Sequence, residues 1–261
     1  MRDKVSIFLM VNLVVSLCAL TSWAQSEEQK AQLYFVEEVV VKPSMVDKYE
    51  ELTKEALDLW TKYGSPFPFY AFVTDDFHYY FVWPIENYAS LDSLFKAIGE
   101  WVVKMGDENW QALMKSGEGT YGYMKWSIVR HKPDLSYSPE KPRLKPEEAN
   151  FIYMGFCYVK PGKDKEFDEA FKKWVDLYKN NNITDGFDTF AGDIGTEMPF
   201  YFWTFRAKSA SDFWIHSEER NKKIGEEKVR TLHHKTVALF RKIEFKTGWF
   251  RPDFSYIPKE K

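Results

Sequence analysis

Hydrophobic residues recur along the first half of the chain with the spacing of strands and helices. The run from Leu33 to Val41 is rich in β-branched and aromatic residues, which is typical of a strand. Between Val46 and Tyr63 the apolar residues recur at helical spacing, and Gly64 ends that pattern. The predicted elements are strand 33–41, helix 46–63, strands 69–74 and 78–83, helical region 91–114 and strand 121–130.

Short sequences of the first half recur in the second half in the same order. The matching pairs are 41–44 with 159–162, 79–81 with 200–202, 89–90 with 210–211, and 132–139 with 251–258. Their offsets stay between 118 and 121 residues, which indicates an internal repeat. We therefore expect two homologous units, 31–139 and 150–258, joined by a linker, 140–149, that is rich in proline and charge.

Each unit has the element order βαββαβ. In the second unit the predicted elements are strand 151–159, helix 163–179, strands 187–193 and 199–206, helical region 209–239 and strand 241–250. This order is typical of a ferredoxin-like unit, a four-stranded antiparallel sheet with two helices on one face. The first strand of each unit is apolar on both faces, so the second face of each sheet must also be covered. We predict an α+β protein whose two tandem ferredoxin-like sheets face each other as an α+β barrel.

The strand-and-turn sequences 39–44 and 159–162, each followed by an amphipathic helix, resemble the dimeric α+β barrel superfamily. That group includes antibiotic-biosynthesis-type monooxygenases, NIPSNAP-type proteins, haem-degrading monooxygenases and, as tandem forms, chlorite dismutase-like proteins. The resemblance implies a pseudo-dimeric barrel within one chain. It transfers no catalytic motif residue by residue, and its members differ widely in activity.

The first 24 residues have the pattern of a secretory signal peptide. Arg2 and Lys4 precede a 16-residue, almost entirely apolar run, and the small residues Ser22 and Ala24 fit a cleavage site after Ala24. The run is short for a membrane span of about 20 residues, although a retained anchor is the alternative. A lipoprotein acylated at Cys18 is a second alternative. We expect an exported protein, periplasmic or extracellular, with no membrane contact after cleavage.

Charge and cysteine content exclude several classes of protein. Lys and Arg number 36 against 39 Asp and Glu, a net charge of -3, which gives no general basic surface for nucleic acid. Only two cysteines occur, so a disulfide scaffold is excluded. Cys157 is the single thiol after cleavage, and we expect it to be buried. The barrel should form within one chain, and free edge strands would allow further oligomerisation.

Aromatic residues are abundant, with 22 Phe, 15 Tyr and 10 Trp. An aromatic cavity between two facing sheets would suit a small apolar or aromatic molecule. The residues predicted to line it are Tyr70, His78, Tyr80, Trp83, Tyr201, Trp203 and Arg206. The alternative is that these rings fill the barrel as ordinary core.

His78 and Glu38 are the candidate catalytic residues. Glu37 and Glu38 interrupt the first strand, so alternation directs one carboxylate toward each face of the sheet. A carboxylate that faces the apolar barrel should have a raised pKa and could exchange protons. The alternatives are a structural ion pair, for example with Arg206, and a solvated turn histidine at His78.

Three functions remain open on the sequence. The protein could be a cofactor-independent monooxygenase or isomerase, a haem protein of the chlorite dismutase-like tandem type, or a non-catalytic binding or assembly module. We expect no resident cofactor or metal, except that haem would use His216, which has aromatic neighbours. His233 and His234 are adjacent and point in different directions on a helix, which disfavours a shared metal.

Overall fold

Eight antiparallel strands form a closed barrel in the computed structural model, which describes residues 31–65 and 67–258. The predicted signal peptide, 1–24, lies outside the described residues. The strands are β1 (Leu33–Val41), β2 (Tyr70–Thr74), β3 (His78–Ile85), β4 (Tyr121–His131), β5 (Phe151–Val159), β6 (Phe187–Gly192), β7 (Phe200–Ala207) and β8 (Phe240–Phe250). Around the barrel they run in the order β1-β3-β2-β8-β5-β7-β6-β4.

Six α-helices pack on the outside of the barrel strands within the described residues. They are α1 (Val46–Tyr63), α2 (Ser90–Met105), α3 (Asp107–Gly117), α4 (Asp164–Asn180), α5 (Ala210–Ile224) and α6 (Glu226–Val237). The predicted order of strands and helices is therefore confirmed, as are the α+β class and the facing sheets. None of the helices described here is long and apolar enough to cross a bilayer.

The two long helical regions of the sequence are each broken by a glycine. Gly106 separates α2 from α3 and Gly225 separates α5 from α6, with φ angles of 86° and 103°. Glycine has no Cβ and adopts positive φ without steric cost, so each helix ends there and the next begins at once. These two glycines mark equivalent points of the two halves.

Each strand places alternate residues on the helix side and on the barrel side. In β1, Phe35, Val39 and Val41 belong to the core under the helices, together with Trp60 and Trp101. Their sequence neighbours therefore point into the barrel. A second core lies under the helices of the other half and includes Cys157, Val159, Phe167 and Tyr201.

The register of the strands corrects the alignment of the two aromatic hairpins. Glu37 pairs with Phe81 in the first half, and Gly155 pairs with Trp203 in the second. Glu37 and Gly155 are 118 residues apart, whereas Phe81 and Trp203 are 122 apart. The match of 79–81 with 200–202 implied an offset of 121, so the second hairpin carries one residue more than that match allowed. Because alternate residues of a strand face opposite sides, a shift of one residue exchanges the two faces.

Candidate functional site

A cavity of about 270 Å³ lies between the helix-side face of β5–β8 and helices α4, α5 and α6. We call it the helix-side cavity, because it lies on the helix side of the strands, outside the barrel. Most of its wall is aromatic, and the polar groups Ser217, Arg220, Asn221 and His233 converge on it from α5 and α6. The aromatic wall includes Tyr153, Trp174, Tyr178, Trp203, Phe205, Phe213 and Trp214. An apolar cleft with a few converging polar groups is the usual form of a small-molecule site.

The corresponding space of the first half is filled by indole rings. Trp101 lies five residues before Gly106, and its ring centroid is 4.7 Å from that of Trp60 and 6.3 Å from that of Trp110. Trp101 itself is buried in the first core. Counting from the two glycines, it corresponds to Arg220 in the second half.

Two more wall residues of the helix-side cavity are smaller or more polar than their counterparts in the first half. Ile98 corresponds to Ser217, since each lies eight residues before its glycine, and Trp110 corresponds to Val229, four residues after it. The second half therefore lacks two indoles and one aliphatic side chain at the place where the cavity lies. These replacements give a physical reason for the open space in the second half.

Arg220 is the most buried charged residue of the cavity wall, with 7% of its surface exposed. Its Nη2 donates to Ser217 Oγ at 3.0 Å, and its Nη1 lies 3.7 Å from Asp185 Oδ2. The guanidinium lies over the rings of Phe205 at 4.7 Å and Tyr178 at 5.6 Å. Its Nε hydrogen is buried and has no hydrogen-bond partner among the described residues. One donor of a buried cation is thus left without an acceptor.

A second arginine, Arg143, already binds Asp185, the carboxylate that faces Arg220. Arg143 Nε donates to Asp185 Oδ1 at 2.9 Å, and its two Nη atoms donate to Asp212 at 2.9 and 2.8 Å. Asp185 therefore faces two arginines and hydrogen-bonds only one of them. Burial also raises the pKa of the cavity residue Tyr178 to about 12, although the charge of Arg220 opposes this shift. Tyr178 is accordingly a neutral wall residue at neutral pH.

His216 does not fit the role of an axial haem ligand. Its Nδ1 lies 2.7 Å from Glu219 Oε2 and its Nε2 lies 3.4 Å from Asp212 Oδ1, so both ring nitrogens face carboxylates. It is absent from the cavity wall, where His233 is the only histidine among the residues described. The cavity volume also lies below the 300–1,000 Å³ of common ligand sites, which disfavours a group as large as haem. Within the described residues, no cluster of three or more metal-binding side chains occurs.

Inside the barrel, the structure brings the two predicted catalytic residues together. His78 Nδ1 and Glu38 Oε1 are 2.6 Å apart, and Tyr80 Oη donates to the same oxygen at 3.3 Å. Asp76 lies 3.5 Å from His78 Nε2 and also pairs with Lys246 at 2.8 Å. The side chains of His78 and Glu38 are 16% and 19% exposed, so this pair is largely shielded from water.

The expected pKa shift at Glu38 was wrong in direction. Burial raises the pKa of Glu38, but the hydrogen bond from His78 and the charges of His78, Lys246 and Lys125 outweigh it and hold the pKa below its ordinary value. Glu37, on the helix side, has a raised pKa because burial outweighs its hydrogen bond from Trp126. Arg206, suggested as an ion-pair partner, donates from Nε to the carbonyl of Ala149 at 2.9 Å.

The predicted lining of the barrel was correct for some residues and wrong for others. Tyr70, Tyr80 and Arg206 lie on barrel-side positions, in register with Val82, Glu38 and Ile152. The residues on the helix side are Trp83, Tyr201 and Trp203. The shifted hairpin explains Tyr201, because it corresponds to the helix-side residue Tyr79 rather than to Tyr80. Trp203 still lines a cavity, but the cavity is the one under the helices.

Arg220 and Ser217 are among the wall residues that the sequence interpretation missed. They lie in a helix with many charged residues, which is typical of a solvated helix, and no motif marks them. An alignment of the repeats on Gly106 and Gly225 would have placed Arg220 against Trp101. A charge opposite a core tryptophan is the signal that could have found the site.

Comparisons with known proteins identify the fold. No protein-family model matches the chain, and neither does any curated protein. An anthrone oxidase-like protein matches with a TM-score of 0.57 and 11% identity, over 85% of this chain and 92% of that chain. A candidate monooxygenase from Fusobacterium nucleatum subsp. nucleatum ATCC 25586 has a TM-score of 0.52 and 14% identity, over 85% and 93%.

A mutant chlorite dismutase from Candidatus Nitrospira defluvii also matches, with a TM-score of 0.50 and 10% identity, over 85% of this chain and 92% of that chain. At these identities the similarity establishes the architecture and leaves the reaction open. The chain therefore has the α+β barrel fold that antibiotic-biosynthesis-type monooxygenases share with the tandem chlorite dismutase-like proteins.

Proposed function

We propose that this protein binds a small, flat, apolar or aromatic molecule in the helix-side cavity. The observation that carries the proposal is the replacement of Trp101 and Trp110 of the first half by Arg220 and Val229, which leaves an aromatic-walled space of about 270 Å³. A cavity just below the common range of 300–1,000 Å³ suits a ligand of one or two rings. The ligand site thus moves from the barrel, where the sequence placed it, to the space under α4–α6.

A fluorescent probe without charge tests this proposal. 2-Naphthol, a neutral two-ring fluorophore, should bind with a change in its fluorescence, and Val229→Trp, which restores the first-half residue, should weaken binding by roughly tenfold or more by occupying the space. Val103→Trp is the matched control, because Val103 is 78% exposed in the other half. Equal probe affinity in Val229→Trp and Val103→Trp would argue against a ligand site in this cavity.

A second candidate function is proton transfer inside the barrel, as in a cofactor-independent monooxygenase or isomerase. The short contact between Glu38 and His78 favours it, since a carboxylate beside an imidazole can accept and hold a proton. A candidate monooxygenase and an anthrone oxidase-like protein share the fold, which supports a search among aromatic substrates. Turnover of such a substrate that survives both Glu38→Gln and His78→Ala would remove this pair from the mechanism.

We also propose that the protein is exported and that its mature chain comprises the two units 31–139 and 150–258. The basic start, the apolar run and the small residues before position 25 support export. Sequencing the N-terminus of protein expressed with its own leader tests the proposed export. We expect a mature chain that begins at Gln25, and an uncleaved chain would argue for a retained anchor.

A further inference from the structure

We infer that the helix-side cavity selects aromatic molecules that carry an anionic group, a carboxylate above all, and that Arg220 recognises that group. The inference rests on the proposed function and adds the chemical class of its ligand. It is carried by the position of Arg220 in the cavity wall and by the unmet hydrogen-bonding capacity of its guanidinium.

Among the described residues, no carboxylate lies within hydrogen-bond distance of the Arg220 guanidinium. A charge removed from water is costly unless it is paired and hydrogen-bonded. Asp185 is 3.7 Å away, beyond hydrogen-bond distance, and it is already hydrogen-bonded by Arg143. Asp212 accepts two more hydrogen bonds from Arg143. The remaining polar contact, with Ser217 Oγ, is uncharged.

Arg143, which shares Asp185 with Arg220, pairs directly with carboxylates. It makes three hydrogen bonds of 2.8–2.9 Å to two carboxylates, whereas Arg220 makes none to a carboxylate. A bound carboxylate would give Arg220 the charged acceptor that Arg143 already has. Arginine suits this role because its planar donors match the two oxygens of a carboxylate.

The rings beside Arg220 determine what the rest of the ligand should be. Phe205, Tyr178 and Phe213 lie 4.7, 5.6 and 6.0 Å from its guanidinium carbon and continue the aromatic wall. A flat ring that extends from the carboxylate would therefore contact other rings. The competing explanation is that Arg220 is purely structural and is satisfied by stacking on these rings and by the charge of Asp185.

Two probes of nearly equal shape separate these explanations. Isothermal titration calorimetry with 2-naphthoate and 2-naphthamide compares an anion with a neutral amide on the same rings. We expect the protein to bind naphthoate at least about tenfold more tightly than naphthamide, as charged hydrogen bonds suggest. Arg220→Met should abolish that preference. Lys223→Met, which removes an exposed cation from the same helix, should retain it.

Each other result has a defined meaning. Equal affinity of the wild-type protein for the two probes, or a preference that survives in Arg220→Met, would overturn the inference and leave the proposed function standing. If Val229→Trp does not weaken the binding of naphthamide, the proposed function itself is overturned. If circular dichroism shows that Arg220→Met is unfolded, Arg220→Lys replaces it; the lysine keeps the charge without the planar fork, and the preference should fall severalfold.

Discussion

Trp101 and Arg220 hold the same place in two related helices, each five residues before the glycine at which its helix ends. Both side chains are buried, with 5% and 7% of their surface exposed. Trp101 completes a cluster of indole rings, whereas Arg220 lies in the wall of the helix-side cavity. The position is thus packed with aromatic rings in one half and borders an open space in the other. Substitution of Trp101 should therefore mainly reduce stability, whereas substitution of Arg220 should mainly change ligand preference.

Replacement of Trp101 by alanine should strongly destabilise the protein. Loss of a buried tryptophan typically costs about 3–5 kcal/mol, because the transfer free energy is lost and a cavity remains. Urea unfolding followed by circular dichroism measures the free energy of unfolding. Val103→Ala, at an exposed position of the same helix, should change it by no more than about 0.5 kcal/mol. A Trp101→Ala variant as stable as this control would show that the indole cluster contributes little.

Glu38 should contribute stability that is lost in acid. Its pKa is lower in the folded protein than the ordinary value of 4.5, so the folded state favours the charged form. The stabilisation is fully present above pH 4.5 and disappears as the pH falls through the folded pKa. We expect Glu38→Gln to lower the free energy of unfolding by about 1–2 kcal/mol at pH 7, with a smaller difference at pH 3.5. A difference that stays constant between these pH values would contradict an ionic role.

The neighbouring Glu37 should behave in the opposite way. Burial raises its pKa, so the folded state binds its proton more tightly and stability falls as the pH rises from 4.5 through the folded pKa. Glu37→Gln keeps an acceptor for Trp126 Nε1, which lies 2.8 Å from the carboxylate, without a buried charge. We expect the variant to be more stable than wild type by roughly 1 kcal/mol at pH 7 and equally stable at pH 4. Destabilisation at pH 7 would show that the charge itself is needed.

The sequence was sufficient for the architecture because strand alternation and helical periodicity are local properties. Leu33 to Val41 is apolar on both faces, and this alone required a cover for each face of the sheet. Side-chain direction was less predictable, since a single extra residue in the second hairpin reverses the face of Tyr201. Arg220 could not be recognised from its helix, because burial of a charge depends on which helix face packs against the sheet and on what the partner strands contribute.

Gly155 should be required for the shape of the cavity wall. A Cβ at this position would overlap the Trp203 indole, which lies directly against the glycine and lines the cavity. Gly155→Ala must therefore move that ring, which should destabilise the fold by about 1–3 kcal/mol and weaken naphthyl probe binding. Gly99→Ala is the matched control, since the space around Gly99 in α2 is open and alanine favours a helix by roughly 0.5–1 kcal/mol. Equal effects of the two substitutions would mean that the ring moves without cost.

Cys157 should report on both folding and binding. The thiol is fully buried, and burial raises its pKa to about 12 against the opposing hydrogen bond with the cavity residue Trp203. Since the thiolate is the reactive form, 5,5′-dithiobis(2-nitrobenzoate) should label Cys157 only after the chain opens. A ligand that binds the folded state alone slows such labelling by a factor of one plus the ratio of the ligand concentration to Kd, which is about 100-fold at a concentration of 100 Kd. We expect 2-naphthoate to slow the labelling of the processed chain in this way, and to slow it about tenfold less in Arg220→Met, which loses the preference for the anion. Rapid labelling under native conditions would instead show that β5 opens locally beneath the helices, without global unfolding.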